Sequence, residues 1–506
     1  MRRLLTFWLL PIMAWSQSSD FLEEAVKGLL EELLIGEDNV EDTLTRTSHE
    51  IELSEGKLYY TAITGALPQY NDEGNKCGEL FFTAYLQDEH DPNRPVTFIF
   101  NGGPGGSALS MHIAGFGPRR LLYPEEGQRS LPPYQLVDNQ QTILDLTDIV
   151  FIDPIGTGYS HTDEPLYEMF YYGVEGDIAS FAEFIRVFCV HFDRWLSPKY
   201  LLGASYGTCR ACGLTEALME SSGIYLNGVI LLGSALDMNT IFPQRDLFLS
   251  ECLKIPTYAA TAWYHGRNQQ FSTLEETVEF ARRFALEDYV PAMTEPTRLT
   301  KKEQKAFYQQ LATLIGLSET TVARHQGRIT EDVYVTEFKA DERKVIGGID
   351  SRYEGDISTL ASEYIEDPSY RNFRPAFYPA FMQYLQEELE TKSLASKYKN
   401  FSREALYRWN WWTYDTFSNL PTRPNFTQRL RRSLVAHPAM NIFVGSGYYD
   451  IRTPFAAAEY AIDHLELPDL YRNNFQFEYY EAGHGFIFDL VSLQKLKNDL
   501  TDFYAR

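Results

Sequence analysis

The amino-acid sequence predicts an α/β protein built around a mostly parallel sheet, and two observations support this prediction. First, short apolar runs rich in β-forming residues alternate with helical stretches, which is typical of parallel strands covered on both faces. Second, the same pattern returns near the end of the chain after a long interruption. The predicted strands are residues 59–63, 80–86, 96–100, 148–152, 200–202, 229–232, 440–444 and 475–480.

The interruption covers residues 236–435, which show helical periodicity in place of the strand–helix alternation. The simplest organisation is one sheet domain made of residues 46–235 and 436–506, with the interruption inserted as a helical cap. Two independent domains in tandem are the alternative. A tract of tyrosine and tryptophan at residues 407–412 is predicted to pack in the core, with a binding wall as the alternative. The predicted helices of the insertion include residues 274–286, 301–317 and 378–389.

The amino terminus has the pattern of a secretory signal peptide, which we place at residues 1–16. Two arginines are followed by an apolar run and then by a small-x-small cleavage motif. A membrane anchor is the alternative, although the apolar run is too short to span a bilayer comfortably. Residues 17–45 form an acidic lead-in that is either a surface helix or disordered. The protein is therefore expected to be secreted or periplasmic, without membrane contact once the signal peptide is removed.

Composition excludes several classes of partner and site. The 506 residues include 45 basic and 70 acidic ones, a net charge of −25, which argues against nucleic acid and anionic membrane surfaces. Five cysteines leave at least one unpaired, so the chain is not a disulfide scaffold. Cys209 and Cys212 have C-x-x-C spacing but no second pair. We interpret them as buried helix residues, with a redox or zinc site as the alternative.

Residues 203–207 read Gly-Ala-Ser-Tyr-Gly and lie between a predicted strand and a predicted helix. In such a G-x-S-x-G turn the two glycines relieve crowding, so that the serine hydroxyl projects above the edge of the sheet. The motif is common by chance, but its position between strand and helix is the one this turn requires. Ser205 is therefore the candidate nucleophile.

A serine hydroxyl at neutral pH needs a general base, usually a histidine oriented by a carboxylate. After a serine on such a turn, the acid and then the histidine are expected on loops that follow later strands. Asp450 lies just beyond the strand predicted at 440–444, and His484 just beyond the one at 475–480. Taken in this order, Ser205, Asp450 and His484 predict a catalytic triad.

Acyl chemistry also needs backbone N–H groups that stabilise an oxyanion. Residues 101–107, a glycine-rich loop directly after a predicted strand, supply one such donor, and Tyr206 supplies the other. The alternatives for this loop are a plain turn or a phosphate cradle. A phosphate loop would need a Gly-Lys-Ser/Thr sequence, which is absent.

Five ordered motifs between residues 47 and 506 together resemble the serine carboxypeptidase family in its bacterial form. The resemblance implies an α/β-hydrolase with a mostly parallel central sheet and a helical cap insertion. It also implies that Gly103 and Tyr206 donate the oxyanion N–H groups, while Asn101 and Gly102 hold the C-terminal carboxylate of a peptide substrate. The motifs are Asn-Gly-Gly-Pro-Gly at 101–105, Asp-Pro-Ile-Gly-Thr-Gly-Tyr-Ser at 153–160, the motif at 203–207, Asp450, and Gly483-His484.

Two positions depart from the family pattern, and both concern recognition of the substrate's last residue. Ala204 stands where the family usually has a glutamate, and Gly485 stands where a methionine is common. We therefore expect less dependence on acidic pH and poorer discrimination between free and blocked carboxyl termini. Candidates to replace the missing recognition are Arg119, Arg120 and His112.

The sequence thus predicts a serine-type carboxypeptidase that works through an acyl-enzyme, without metal or cofactor. One alternative is an esterase or acyltransferase on the same fold, since the departures at Ala204 and Gly485 leave the triad intact. Another is a binding protein without catalysis, against which the complete triad argues. The sequence leaves the oligomeric state open.

Overall fold

The computed structural model describes residues 44–506 except 72, 89–90, 92, 124–130, 246, 358–366, 392–396 and 415–420. The predicted signal peptide and nearly all of the acidic lead-in therefore lie outside the described residues. Thr45, the last residue of the predicted lead-in, already begins the first strand.

Sixteen strands occur in the described ranges, and ten of them form one sheet. The strands are β1 (Thr45–Leu53), β2 (Gly56–Tyr70), β3 (Lys76–Gln87), β4 (Val96–Phe100), β5 (Arg119–Leu121), β6 (Leu136–Asp138), β7 (Asp148–Ile152), β8 (His161–Thr162), β9 (Lys199–Ala204), β10 (Gly228–Leu232), β11 (Lys344–Ile346), β12 (Glu354–Asp356), β13 (Thr413–Tyr414), β14 (Pro421–Thr422), β15 (Asn441–Gly447) and β16 (Phe475–Tyr480).

The large sheet has the order β1-β2-β3-β7-β4-β9-β10-β15-β16, and β8 pairs with β3 at its side. The five pairings from β7 to β16 are all parallel, whereas β1, β2, β3 and β7 pair antiparallel. The predicted mostly parallel sheet is confirmed. Strand β1 was not predicted, because its alternating exposed and partly buried residues give a weak strand pattern.

The central parallel strands are buried over their whole length, which explains why they are continuous apolar runs in the sequence. Helices cover both faces, as expected for parallel strands joined by crossover connections. The helices before β15 that follow or flank the early strands are α1 (Pro165–Tyr171), α2 (Val174–His191) and α3 (Tyr206–Ser222).

Between β10 and β15 the described residues are mostly helical. A separate apolar cluster, which includes Tyr258, Leu314 and Tyr334, stabilises this part. Its helices are α4 (Met238–Ile241), α5 (Leu249–Tyr264), α6 (Leu274–Phe284), α7 (Val290–Thr294), α8 (Lys301–Ile315), α9 (Glu319–Arg324), α10 (Glu331–Glu337), α11 (Tyr370–Glu387), α12 (Arg403–Arg408) and α13 (Thr427–Ala436). Two helices follow later strands, α14 (Phe455–Asp463) and α15 (Leu490–Tyr504).

Helix α8 shows how local sequence fixes an element of the insertion. Thr300 accepts a hydrogen bond from the Glu303 N–H while the Glu303 side chain accepts one from the Thr300 N–H, a capping box that satisfies two orphan donors. Gly316 ends the helix in the left-handed region at φ 73°, where glycine carries no steric penalty. Start and stop therefore lie close to the predicted bounds.

The residues from Thr45 to Arg506 form one compact unit. In the described ranges no helix is both long and apolar enough to cross a membrane. All five cysteines are described and none is disulfide-bonded; Cys209 and Cys212 are buried in α3, as the sequence analysis expected.

Candidate active site

Ser205 occupies the sharp turn between β9 and α3. Its backbone has φ 57° and ψ −127°, a strained conformation that a non-glycine residue keeps only when its surroundings impose it. The Ser205 N–H donates to Leu232 O over 2.9 Å, which ties the turn to the end of neighbouring β10. A Cβ at Gly203 would overlap Gly207 O, so the turn requires glycine at 203, whereas a Cβ at Gly207 would make a tight 3.1 Å contact with Asn101 O. The side chain of Ser205 is partly exposed at the carboxyl edge of the sheet.

Asp450 and His484 follow β15 and β16, and they meet at the same edge. His484 Nδ1 lies 2.6 Å from Asp450 Oδ2, and the Asp450 side chain is completely buried. Burial of the ring acts to lower the pKa of His484, but attraction and hydrogen bonding by the Asp450 carboxylate outweigh it, so the pKa of His484 is raised. The aspartate therefore holds the Nδ1–H tautomer and leaves Nε2 as the basic nitrogen.

Thr453 completes the support of the acid. Its hydroxyl donates to Asp450 Oδ2 over 2.6 Å, and its N–H donates to Asp450 Oδ1 over 2.9 Å. Thr453 Oγ1 also lies 3.0 Å from His484 Nδ1. The sequence analysis did not single out Thr453; its position three residues after a candidate acid is the signal that could have found it.

Gly233, the first residue after β10, lies between the nucleophile turn and the histidine. It has φ 57°, and a Cβ there would lie 2.9 Å from His484 Nδ1. The imidazole thus lies against Gly233, next to Leu232, whose carbonyl accepts the Ser205 N–H. No hydrogen bond joins the Ser205 and His484 side chains in the part of the chain that the structure describes. Hydrogen bonds between a nucleophile and its base often shorten only when substrate binds.

The glycine-rich loop after β4 lies directly against the nucleophile turn. A Cβ at Gly102 would lie 2.5 Å from Tyr206 N and 2.9 Å from Ser205 Cβ, so only glycine permits this approach. Gly103 has φ 119° in the region that favours glycine. The Tyr206 N–H is the first of α3, where no carbonyl one turn earlier accepts it within the helix. The glycine-rich loop and the start of α3 therefore lie directly against each other beside Ser205.

A buried ion pair below the turn escaped the sequence analysis. Arg210 Nε and Nη2 donate to the Asp177 carboxylate over 2.8 and 2.9 Å, and Arg210 Nη1 donates to Asn101 O over 2.7 Å. The Tyr206 hydroxyl also donates to Asp177 Oδ2 over 3.2 Å. This pair joins α2, α3 and the start of the glycine-rich loop. An arginine on the apolar side of a helix is the signal that could have found it, because a buried charge needs a partner.

The Asp-Pro-Ile-Gly-Thr-Gly-Tyr-Ser motif supports the glycine-rich loop from the other side. Asp153 Oδ1 accepts the Ala108 N–H over 2.7 Å, and burial raises the pKa of Asp153 to about 6. Gly158 has φ 56° and no room for a Cβ beside the Asp153 carboxylate. This motif therefore positions backbone and does not itself reach Ser205.

Two of the three candidates for recognition of a terminal carboxylate are otherwise engaged. Arg119 is paired with Asp138 and Glu388. His112 is fully buried, and desolvation lowers its pKa to about 3, so it is neutral and cannot attract an anion. Arg120 is buried, and its Nε has no hydrogen-bond partner among the residues that the structure describes.

The aromatic tract adjoins the residue that follows the nucleophile. The Tyr206 ring lies 5.1 Å from the Trp409 ring and 5.6 Å from the Trp411 ring, centroid to centroid. Trp409 is buried, as the predicted core packing requires. The prediction is wrong for Tyr407 and Trp412, which are 82% and 54% exposed because they lie on the surface at the end of α12 and beyond it.

Among the described residues, no group of three or more histidine, cysteine, aspartate or glutamate side chains is arranged to hold a metal ion. The residues brought to this edge are a serine on a strained turn and a hydrogen-bonded histidine–aspartate pair, residue types that acyl transfer uses.

The fold is that of the α/β-hydrolase class. The sequence profile of the serine carboxypeptidases matches residues 64–487. The chain therefore belongs to the serine carboxypeptidase family.

The chain is similar to the pheromone-processing carboxypeptidase KEX1 of Cryptococcus gattii, with 27% identity over 200 residues. That match covers 37% of this chain and 28% of the relative, so the chain spans little more than a quarter of its length. The KEX1 of Pyricularia oryzae is 34% identical over 94 residues, covering 18% of this chain and 13% of that protein.

Among solved structures, the chain is similar to the prohormone-processing carboxypeptidase KEX1 of Saccharomyces cerevisiae. The TM-score is 0.53 at 15% identity, and the match covers 88% of this chain and 91% of the other. This likeness shows the α/β-hydrolase fold.

Proposed function

We propose that the protein is a serine carboxypeptidase that releases C-terminal residues from peptides through an acyl-enzyme. The observation that supports it best is the His484–Asp450 hydrogen bond at the sheet edge where Ser205 turns, in a member of this family. Ser205 is the nucleophile, His484 the general base and Asp450 the acid that orients it. Gly103 and Tyr206 donate the oxyanion N–H groups, and Asn101 and Gly102 hold the substrate's carboxylate.

The reaction follows from these roles. Ser205 Oγ bonds to the scissile carbonyl carbon while His484 Nε2 takes its proton, and the carbonyl electrons move to the oxygen facing the N–H donors. The C–N bond then breaks, and the leaving amine takes the proton from His484. A water molecule, deprotonated by the same nitrogen, then bonds to the acyl carbon; the bond from that carbon to Ser205 Oγ breaks, and His484 returns the proton to Ser205 Oγ as the shortened peptide leaves.

A digest of a mixed peptide library tests this function directly. We expect the wild-type enzyme to release single free C-terminal amino acids, and the Ser205→Ala variant to release none, because the attacking oxygen is absent. Internal cleavage, or equal release by the variant, would refute the proposal.

A second candidate function is an esterase or acyltransferase on the same fold. The specific observation in its favour is Ala204, which offers no carboxylic acid beside the substrate's terminus. Turnover of esters without release of a terminal amino acid from peptides would select this function over the first.

Because Ala204 cannot titrate, we predict a pH profile set by His484. The base must be neutral, and its pKa is raised above the usual value of about 6.5, so activity is lost as the pH falls through that raised pKa. For a dipeptide substrate, kcat/KM should rise as the pH rises through that raised pKa and stay level above it. A profile that falls steadily above pH 5 would contradict this prediction.

The variant Ala204→Glu sharpens the test. An ionised glutamate repels the substrate's carboxylate, so its kcat/KM for free-acid peptides should fall at neutral pH, while amidated peptides are unaffected. Glutamine in Ala204→Gln has the size of glutamate without its charge, so this variant should keep the wild-type dependence of kcat/KM on pH. If all three proteins titrate alike, Ala204 does not lie beside the substrate's terminus.

We further propose that residues 236–435 form a helical cap over the site and that residues 1–16 are a signal peptide of an exported protein, secreted or periplasmic. Support for the cap comes from the helices and the separate apolar cluster between β10 and β15. The bacterial form of the family also stays a proposal, since the relatives named above are fungal.

A further inference from the structure

The loop at residues 347–353, which joins β11 to β12 inside the insertion, reaches the backbone of the histidine. We call it the clamp loop. Ile349 O accepts the His484 N–H over 2.6 Å, and Asp350 Oδ2 accepts the Gly483 N–H over 3.0 Å. Arg352 Nη1 donates to Glu481 O over 2.9 Å. The segment that ends in His484 is therefore bonded to the clamp loop at three nearby positions.

The clamp loop also forms hydrogen bonds to the residues on either side of Asp450, the acid of the proposed triad. The Ser351 N–H donates to Tyr449 O, and the Ile451 N–H donates to Gly348 O, both over 3.1 Å. These two bonds fix the residues immediately before and after Asp450. From another part of the insertion, Lys254 Nζ donates to Ile451 O over 2.8 Å. One loop thus contacts the backbone on both sides of the His484–Asp450 hydrogen bond.

The clamp loop is itself rigidly held. Arg352 Nε and Nη2 donate to the Asp350 carboxylate, the latter over 2.8 Å, and both side chains are more than nine-tenths buried. Asp367 Oδ2 accepts the N–H groups of Gly348 and Ile349 over 2.8 and 3.0 Å. Packing is also tight, since a Cβ at Gly483 would overlap Asp350.

The buried Asp350–Arg352 ion pair therefore does more than hold the clamp loop together. The Asp350 carboxylate shares its oxygens between Arg352 and the Gly483 N–H, so its charge fixes the loop and the histidine segment together. A charge-assisted hydrogen bond is stronger and shorter than a neutral one, and charged partners also fix direction. A small displacement of the clamp loop would move the histidine segment and so change the position of the imidazole relative to Ser205.

We propose that Asp350 and Arg352 are positioning residues that hold His484 and Asp450 in register for proton transfer. Neither residue touches the substrate in this proposal; both act through the histidine segment, 133 residues away from Asp350 in the chain. The inference rests on the proposed serine hydrolase chemistry. In that chemistry the Asp350–Arg352 ion pair supports the catalytic residues and not the cap alone.

The test compares Asp350→Asn with a matched control, Asp341→Asn. Asp341 is also a carboxylate of the insertion paired with an arginine, Arg267, but it is 67% exposed, and such pairs contribute little. Asp350→Asn should lower kcat about 10- to 100-fold, because a displacement of about 1 Å in a reacting group costs roughly 100-fold. KM should change little, because Asn101 and Gly102 lie on another loop. Asp341→Asn should match the wild type.

Labelling by an organophosphorus probe keeps this inference separate from the proposed function. If the wild type does not label at Ser205, the serine hydrolase function fails. If the wild type labels and Asp350→Asn labels at the same rate, the function stands and the positioning role is refuted. Slower labelling of Asp350→Asn, with the control unaffected, supports the role.

A second variant decides the case in which Asp350→Asn unfolds. Arg352→Lys keeps the positive charge and loses the second donor, and its His484 Nδ1–H proton resonance should broaden or shift, with a reduced labelling rate and a near-normal melting temperature. An unchanged resonance and labelling rate in a folded Arg352→Lys protein would overturn the proposal. Equal losses in Asp341→Asn would also overturn it, because they would reflect general weakening of the insertion.

Discussion

Replacing Asp450 by asparagine should lower kcat about 10⁴-fold, the loss typical of a triad whose aspartate becomes an amide. The amide NH₂ cannot accept the Nδ1–H bond, so the imidazole turns or changes tautomer and Nε2 no longer receives the serine proton. Asp450 is completely buried and bonded to Thr453 as well as to His484. Steady-state kinetics on a peptide substrate measures the loss.

The raised pKa of His484 gives a second measurement on the same variant. Without the carboxylate, burial and the Arg452 charge both act to lower the pKa of His484 and outweigh the smaller opposing effect of Asp367, so this pKa should fall. Asp469→Asn, at a 90% exposed aspartate paired with Arg472, serves as the control and should leave kcat unchanged. If Asp450→Asn retained more than about a tenth of the activity, the assignment of the acid would be wrong.

Replacing Arg210 by methionine should destabilise the protein by about 3–5 kcal/mol, because it leaves the Asp177 carboxylate buried without its partner. The guanidinium is fully buried, lies 4.2 Å from the Phe181 ring and bonds to Asn101 O. The change therefore also loosens the glycine-rich loop beside the nucleophile. Chemical denaturation measures the loss of stability, and the remaining folded protein should show reduced kcat.

Two further variants separate charge burial from simple loss of an arginine. Arg324→Met removes a half-exposed arginine paired with Glu337 and should cost no more than about 1 kcal/mol. In the double variant Arg210→Met/Asp177→Leu the orphan carboxylate is gone, so part of the stability should return. Equal destabilisation by Arg210→Met and Arg324→Met would contradict this account of the ion pair.

The parallel half of the sheet could be predicted because its strands are buried on both faces and so are continuous apolar runs. β1 could not, because only one of its faces is partly covered and its polar residues resemble a loop. Helix α8 was predictable from its capping box and its glycine stop, which are local features. The exposed Tyr407 shows the limit of composition, since aromatic residues alone do not say which side of a helix they occupy.

The candidate triad could be predicted from the sequence for a similar reason. Each member follows a strand, and the carboxyl ends of parallel strands lie at one edge of the sheet. The residues that hold the candidate triad in place could not be predicted. Asp177 pairs with Arg210, and Asp350 contacts Gly483, across segments that no sequence period relates. Such partners are determined by how the chain packs, so only coordinates reveal them.

The central claim is that Ser205 is made nucleophilic by His484. Reaction with an organophosphorus probe, followed by mass analysis of the modified peptide, tests it most directly. We expect a single modification on Ser205 in the wild type and a strongly slowed reaction in His484→Ala. Modification at another residue, or an equal rate in both proteins, would contradict it.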